Sequence, residues 1–158
     1  MNDMKYNYEI PKQLMQEFNI VDVSNYCHYE CFLEHGGCGT NKDDRKVNMQ
    51  RIKREVGSIL LYQENSKIAL FAPSFFQLDG AHTLLEELKD YKKQNPYFRL
   101  EDTTSHFVDK KLSFFNDLYE KNVKEIWTGV ESGNKLLRDS YGKPKFTNSE
   151  LLTVSKRM

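Results

Sequence analysis

Short apolar segments alternate with amphipathic segments along this chain, and that alternation restricts the fold more than any other feature. The strand-like segments are 18–23, 67–72, 97–103 and 124–130. The second of them, KIALFA, is apolar after its first residue, which is typical of a strand covered on both faces. Strands and helices that alternate at this spacing form a parallel sheet through right-handed crossovers. The sequence therefore predicts an α/β fold with about four βα units.

The first two intervening segments have apolar residues at helical spacing. One helix is predicted to begin near Val47, capped by Asp44 or Asn48. Gly57 weakens this helix without ending it. A second helix ends at 95–96, where a proline follows an asparagine. The residues predicted to point inward are Ile52, Val56, Ile59 and Leu60 in the first helix, and Leu84, Leu85, Leu88 and Tyr91 in the second.

Capping signals mark two later helices. Asp109 is predicted to cap a third helix, with Leu112, Phe115, Leu118 and Tyr119 inward. Residues 147–150, TNSE, form a capping box for a last helix. At the other end of the chain, residues 1–17 are polar and are interrupted by a proline. We therefore expect an N-terminal arm over 1–17 and one domain over 18–158.

All three cysteines of the chain lie within the twelve residues 27–38, CHYECFLEHGGC, which follow the first predicted strand. Chemistry in parallel α/β folds gathers at the carboxyl ends of the strands. The segments that follow those ends are 27–38, 73–76, 103–106 and 131–133. We expect all four to lie at the same edge of the sheet, which we call the rim. Three thiolates leave a four-coordinate metal or a cluster iron one ligand short, as a reactive site requires. We expect a metal or an iron–sulfur cluster there.

Charge and hydropathy exclude several classes of protein. The 23 basic residues balance 23 acidic ones, so there is no electrostatic footprint of a nucleic-acid binder. No apolar run approaches the ~20 residues of a membrane-spanning helix, and the first residues lack the pattern of a secretory signal. We expect a cytoplasmic location without membrane association. Cysteines are reduced there, which favours metal or redox roles over a disulfide.

The fourth predicted strand and its turn, EIWTGVESGN at 125–134, resemble the fourth-strand signature of radical SAM enzymes. The following leucines and the Gly-Lys pair at 142–143 continue that likeness. The segment 69–76, ALFAPSFF, is similar to the second-strand segment of the family, with Ala72 where an acidic or polar residue is common. The cysteine loop follows the first strand, as in the family. Its spacing is C-x3-C-x6-C instead of C-x3-C-x2-C, with Glu34 at the usual third position.

The resemblance implies a TIM-like (βα) barrel, here a partial one. It also implies a [4Fe-4S] cluster on Cys27, Cys31 and Cys38 that binds S-adenosylmethionine and, on reduction by an external electron donor, generates a 5′-deoxyadenosyl radical. The substrate stays undefined. The residues expected near S-adenosylmethionine are Glu131, Ser132, Leu33, Ser74 and Thr103. His106 is a weaker candidate for substrate contact, and the pairs 75–76 and 114–115 are expected in the core.

An alternative function belongs to another class of protein. Cys27, Cys31, His35 and Cys38 also form a C-x3-C-x3-H-x2-C run that suits a closed structural zinc site. The chain would then be a non-catalytic α/β interaction module. Four βα units also fall short of the six usual in the family barrel. We expect the chain to stop before the barrel closes, and its open sheet edge to favour an oligomer.

Overall fold

Four parallel strands form one sheet in the computed structural model, which describes residues 17–24, 26, 45–129, 134, 136 and 146–157. The strands lie side by side in sequence order, and each pairs in parallel with the next. They are β1 (Asn19–Asp22), β2 (Lys67–Phe71), β3 (Tyr97–Thr103) and β4 (Val123–Gly129). This confirms the predicted α/β fold and parallel sheet.

Five α-helices follow these strands among the described residues. They are α1 (Met49–Tyr62), α2 (Ala81–Leu88), α3 (Thr104–Phe107), α4 (Leu112–Glu120) and α5 (Asn148–Ser155). Two 3-10 helices, Phe75–Gln77 and Lys89–Gln94, adjoin α2. None of the helices in these ranges is long and apolar enough to cross a membrane.

Two predicted helix starts are confirmed. The Asn48 side chain accepts a hydrogen bond from the Arg51 amide at the start of α1. Thr147 and Glu150 form the predicted capping box of α5, each side chain bonding the other residue's amide. These starts are readable from sequence because a cap satisfies amides within its own first turn.

The predicted start of α4 is wrong. Lys111, not Asp109, holds the N-cap position, and α3 occupies the residues directly after β3. Phe115 and Leu118 are buried as predicted, whereas Leu112 and Tyr119 are 58% and 60% exposed. The first and last turns of this nine-residue helix extend past the core. Apolar spacing could not show where the supporting core ends.

The two faces of the sheet differ in what covers them. The register places Val21, Leu70, Leu100 and Ile126 in one row across the four strands. That row belongs to the main apolar core, which also contains the buried apolar side chains of α1, α2, α4 and α5. Since successive residues of a strand point to opposite faces, the neighbouring row lies on the other side. The helices described here therefore cover one face of the sheet.

We call the other face the distal face, defined by the row Ile20, Ala69, Arg99 and Glu125. A small apolar cluster lies there, in which Phe18 and Ala69 are buried and Ile20 and Tyr97 are partly buried. Charged and aromatic side chains occupy the rest of the β3 and β4 portion of this face. The distal face is thus chemically unlike the apolar face that packs against the helices.

Candidate functional site

Most of the predicted site residues lie outside the described residues. These are Cys27, Cys31, Cys38, His35, Leu33, Glu131 and Ser132. Two predicted residues, Ser74 and Thr103, are described and lie at the carboxyl ends of β2 and β3. Within the described ranges, no group of three or more His, Cys, Asp or Glu side chains is placed to hold a metal ion.

Asp102 anchors the loop that follows β2 to the end of β3. Its carboxylate accepts hydrogen bonds from the Ser74 hydroxyl at 3.1 Å, from the Phe76 amide at 2.7 Å and from the Thr103 amide at 2.6 Å. The residue is only 2% exposed. Burial raises the pKa of the Asp102 carboxyl, and the hydrogen bonds from Phe76, Thr103 and Ser74 oppose that rise. Asp102 therefore holds the loop after β2 against the carboxyl end of β3.

The predicted ligand residue Ser74 is fully buried, and its hydroxyl donates to Asp102. In this arrangement the hydroxyl holds the loop in place through its bond to Asp102. Thr103 is half-buried, and its hydroxyl lies 3.1 Å from that of Ser105. Thr103 therefore keeps a polar group at the end of β3, next to the loop that Asp102 anchors.

His106 lies in α3 against a cluster of aromatic rings. Its ring stacks on Phe76, with centroids 5.0 Å apart and planes 9° apart. Phe114 and His82 pack around the same phenylalanine, at 5.5 and 5.3 Å. The Nε2 atom of His106 is buried and has no hydrogen-bond partner. Burial, and then the positive charges of Lys110 and His82, lower the pKa of His106 to about 4.

The two phenylalanine pairs belong to the core, as the sequence predicted. Phe75, Phe76 and Phe115 are buried, and Phe114 packs partly buried against the same cluster. The ring of Phe76 links the loop anchored by Asp102 to α3 and α4. The carboxyl end of the sheet is thus held by one buried carboxylate and one aromatic cluster.

On the distal face, Arg99 is buried among aromatic rings. Its Cζ atom lies 3.2 Å from the centroid of the Trp127 ring and 5.3 Å from that of Phe18. The nearest Arg99–Glu125 contact, from Nε to Oε1, is 4.0 Å, which is beyond hydrogen-bonding distance. Burial lowers the pKa of the Arg99 guanidinium, and Glu125, Glu101 and Glu17 oppose that shift.

Glu125 already has two other donors. The Tyr97 hydroxyl donates to its Oε2 atom at 3.1 Å, and the Trp127 indole N–H donates to Oε1. Burial, and then this hydrogen bond, raise the pKa of the Tyr97 hydroxyl. Both oxygens of Glu125 are fixed by these bonds, and the carboxylate stands beside the guanidinium without closing a bidentate pair.

Sequence reasoning did not single out Asp102 or Arg99. For Asp102 a signal was present, since β3 alternates and Asp102 follows Phe98 and Leu100 on the helix-covered face. An acidic residue at an inward position requires buried donors. For Arg99 no such signal exists, because arginine is ordinary on a strand face that could meet solvent.

Comparison of the chain with protein-family models, with curated proteins and with solved structures gives no significant match.

Proposed function

We propose that this chain is a radical SAM protein with a partial TIM-like barrel, using Cys27, Cys31 and Cys38 to hold a [4Fe-4S] cluster. The observation that carries the proposal is the sheet order β1-β2-β3-β4 with all strands parallel. β1 ends at Asp22 and β4 ends at Gly129. The cysteine segment and the Val-Glu-Ser-Gly turn therefore continue from strands that end at the same edge of the sheet.

Consecutive order also favours a barrel over a doubly wound sheet. Right-handed crossovers between strands taken in sequence carry every helix to the same face, as in (βα) barrels. A doubly wound sheet reverses its strand order and carries helices on both faces. Here the buried residues of the helices join one core on one face. The distal face corresponds to the interior of the proposed barrel.

The side chains on the distal face support a ligand-lined interior. Arg99, Glu125 and Trp127 are polar or amphipathic, and Trp127 is 46% exposed. A second helix layer would need an apolar surface at these positions. A barrel that binds a polar cofactor and substrate needs hydrogen-bonding groups there instead.

The donor set of the cysteine segment suits the cluster. Three thiolates are soft ligands that bind iron in iron–sulfur proteins and leave a position open for S-adenosylmethionine. When bound, the reduced cluster supplies the electron that cleaves the sulfonium of that cofactor. The chain's own residues would orient and shield: Glu131 and Ser132 would bind polar groups of the cofactor, and Asp102 fixes the adjacent loop.

The first test is iron and acid-labile sulfide content after anaerobic reconstitution. We expect about four of each per chain, with a broad visible absorption that bleaches on reduction. Each single alanine variant of the three cysteines, Cys27, Cys31 and Cys38, should lose cluster binding. The His35→Ala variant is the matched control, and it should keep its iron.

The zinc-site hypothesis predicts a different result for the same set of variants. The purified protein would hold one zinc and take up no cluster, and His35→Ala would lose the metal along with the cysteine variants. That pattern would refute the radical SAM proposal. Full iron content in Cys38→Ala would instead refute the assignment of the third ligand.

A further inference from the structure

We propose that Arg99 is the anion-binding residue of the distal face, where its Nη1 group takes a carboxylate of the substrate. The proposal rests on the proposed function only in identifying this face with the interior of a barrel. The contacts of the guanidinium itself carry the proposal.

The guanidinium is charged, buried and incompletely bonded. The Arg99 side chain is 4% exposed, and its Nη1 atom has no hydrogen-bond partner. Buried polar groups nearly always have a partner, and an unsatisfied one attached to a charge is costly. An oxygen acceptor from a ligand would remove that cost. The structure therefore holds Nη1 as a buried donor without an acceptor.

The surroundings define the direction of binding. Trp127 and Phe18 lie against the guanidinium, with the tryptophan centroid 3.2 Å from Cζ. Aromatic rings stack on the face of a guanidinium and leave its N–H groups to bind in its plane. An Nη1 N–H in that plane can donate to an oxygen of a carboxylate. The rings also hold the donor rigidly, which lowers the entropic cost of binding.

The nearby charges favour a carboxylate over a phosphate. Glu125, Glu101 and Glu17 all act electrostatically on Arg99. Glu125 is held by Tyr97 and Trp127, so it stays near the site and repels anions. A singly charged ligand meets half the repulsion that a dianion meets at the same distance. The substrate class is therefore an organic acid or an amino-acid residue with a free carboxylate.

Trp127 supplies the readout, since it is the single tryptophan of the chain. The experiment titrates the full chain, without iron or S-adenosylmethionine, with sodium acetate and follows tryptophan emission at constant ionic strength. We expect a saturable change with a Kd on the order of millimolar, as for a small fragment with one charged anchor. Inorganic phosphate should bind at least about tenfold more weakly, and chloride should give no saturable change.

Two Arg99 variants and one control separate this role from a structural one. Arg99→Gln should abolish the saturable response, and Arg99→Lys should raise the acetate Kd at least about tenfold because lysine lacks the planar fork. Arg54→Gln removes the same charge from an exposed position on α1 and should leave the Kd unchanged. If Arg99→Gln does not fold, Arg99→Lys and the wild-type titration still decide the question.

An acetate response that is absent in the folded wild type, equal to that of chloride, or unchanged in Arg99→Lys would overturn the proposal. Displacement of acetate by S-adenosylmethionine alone would assign the carboxylate to that cofactor and overturn the substrate role. None of these outcomes depends on cluster assembly. Failure of iron uptake would refute the proposed function and leave this titration standing.

Discussion

Replacing Asp102 tests whether a single buried carboxylate holds the carboxyl end of the sheet together. The Asp102→Asn variant keeps the shape of the side chain and removes its charge. Three donors now converge on the carboxylate, from Ser74, Phe76 and Thr103. An asparagine offers one oxygen to them, and its NH2 group must face one of the donors.

The expected loss of stability follows from these contacts. A hydrogen bond to a charged group contributes ~1.5–3 kcal/mol, and a buried donor left without a partner costs ~1–3 kcal/mol. Asparagine keeps some of the bonds and no longer buries a charge, so the free energy of unfolding should fall by ~2–3 kcal/mol. For a chain of this length that corresponds to a decrease in Tm of roughly 4–12 °C.

The assay is urea or thermal unfolding at neutral pH, followed by far-UV circular dichroism. Ser74→Ala removes one of the three donors and should cost ~1.5 kcal/mol, the lower end of the range for a hydrogen bond to a charged group. Asp90→Asn makes the same chemical change at a carboxylate whose side chain is 74% exposed, and it should change stability by less than ~1 kcal/mol. Equal effects of Asp102→Asn and Asp90→Asn would refute the reasoning.

Three further predictions concern a buried histidine, a glycine within α1 and the N-cap of α5. His106 should make the fold acid-sensitive: its pKa is lowered to about 4 in the folded state, so the unfolded chain binds the proton first and stability falls as the pH drops from about 6.5 to 4. His106→Phe should reduce that slope in urea titrations, and an unchanged slope would contradict the assignment. Gly57→Ala should leave the free energy of unfolding nearly unchanged, because a steric clash offsets the gain in helix propensity. The added Cβ would lie 2.9 Å from the Tyr91 hydroxyl, which donates to the Lys53 carbonyl. In a Tyr91→Phe background the same substitution should stabilise the fold by ~1 kcal/mol through helix propensity. If the stability changes of Gly57→Ala and Tyr91→Phe simply add in the double variant, the proposed clash is refuted. Thr147→Ala should cost ~1 kcal/mol by removing the cap of α5, whereas Thr153→Ala, a threonine change within the same helix, should cost less.

The order of secondary structure was predictable because it is encoded locally. The apolar run of β2 and the periodic leucines of α2 follow directly from the two side-chain periods of strand and helix. The caps of α1 and α5 were readable for the same reason. The start of α4 was not, since α3 takes up the residues after β3 and no sequence signal separates the two helices.

The candidate site divides in a similar way. The cysteine segment and the Val-Glu-Ser-Gly turn could be recognised as motifs, and their assignment to a cluster and a cofactor remains a prediction. Ser74 was correctly located at the end of β2, but its hydroxyl serves Asp102. A sequence cannot show which of two polar residues 28 positions apart will meet.

The sequence by itself determined the α/β class, the strands and the positions of the capped helices, because periodicity and caps act within a few neighbouring residues. Only the tertiary structure decided that the four strands lie in consecutive order and that the described helices share one face. It alone showed Asp102 buried under three donors, and Arg99 buried beside Trp127 with a donor unbonded. Burial and charge pairing depend on residues brought together from distant strands, so they arise only when the sheet has formed.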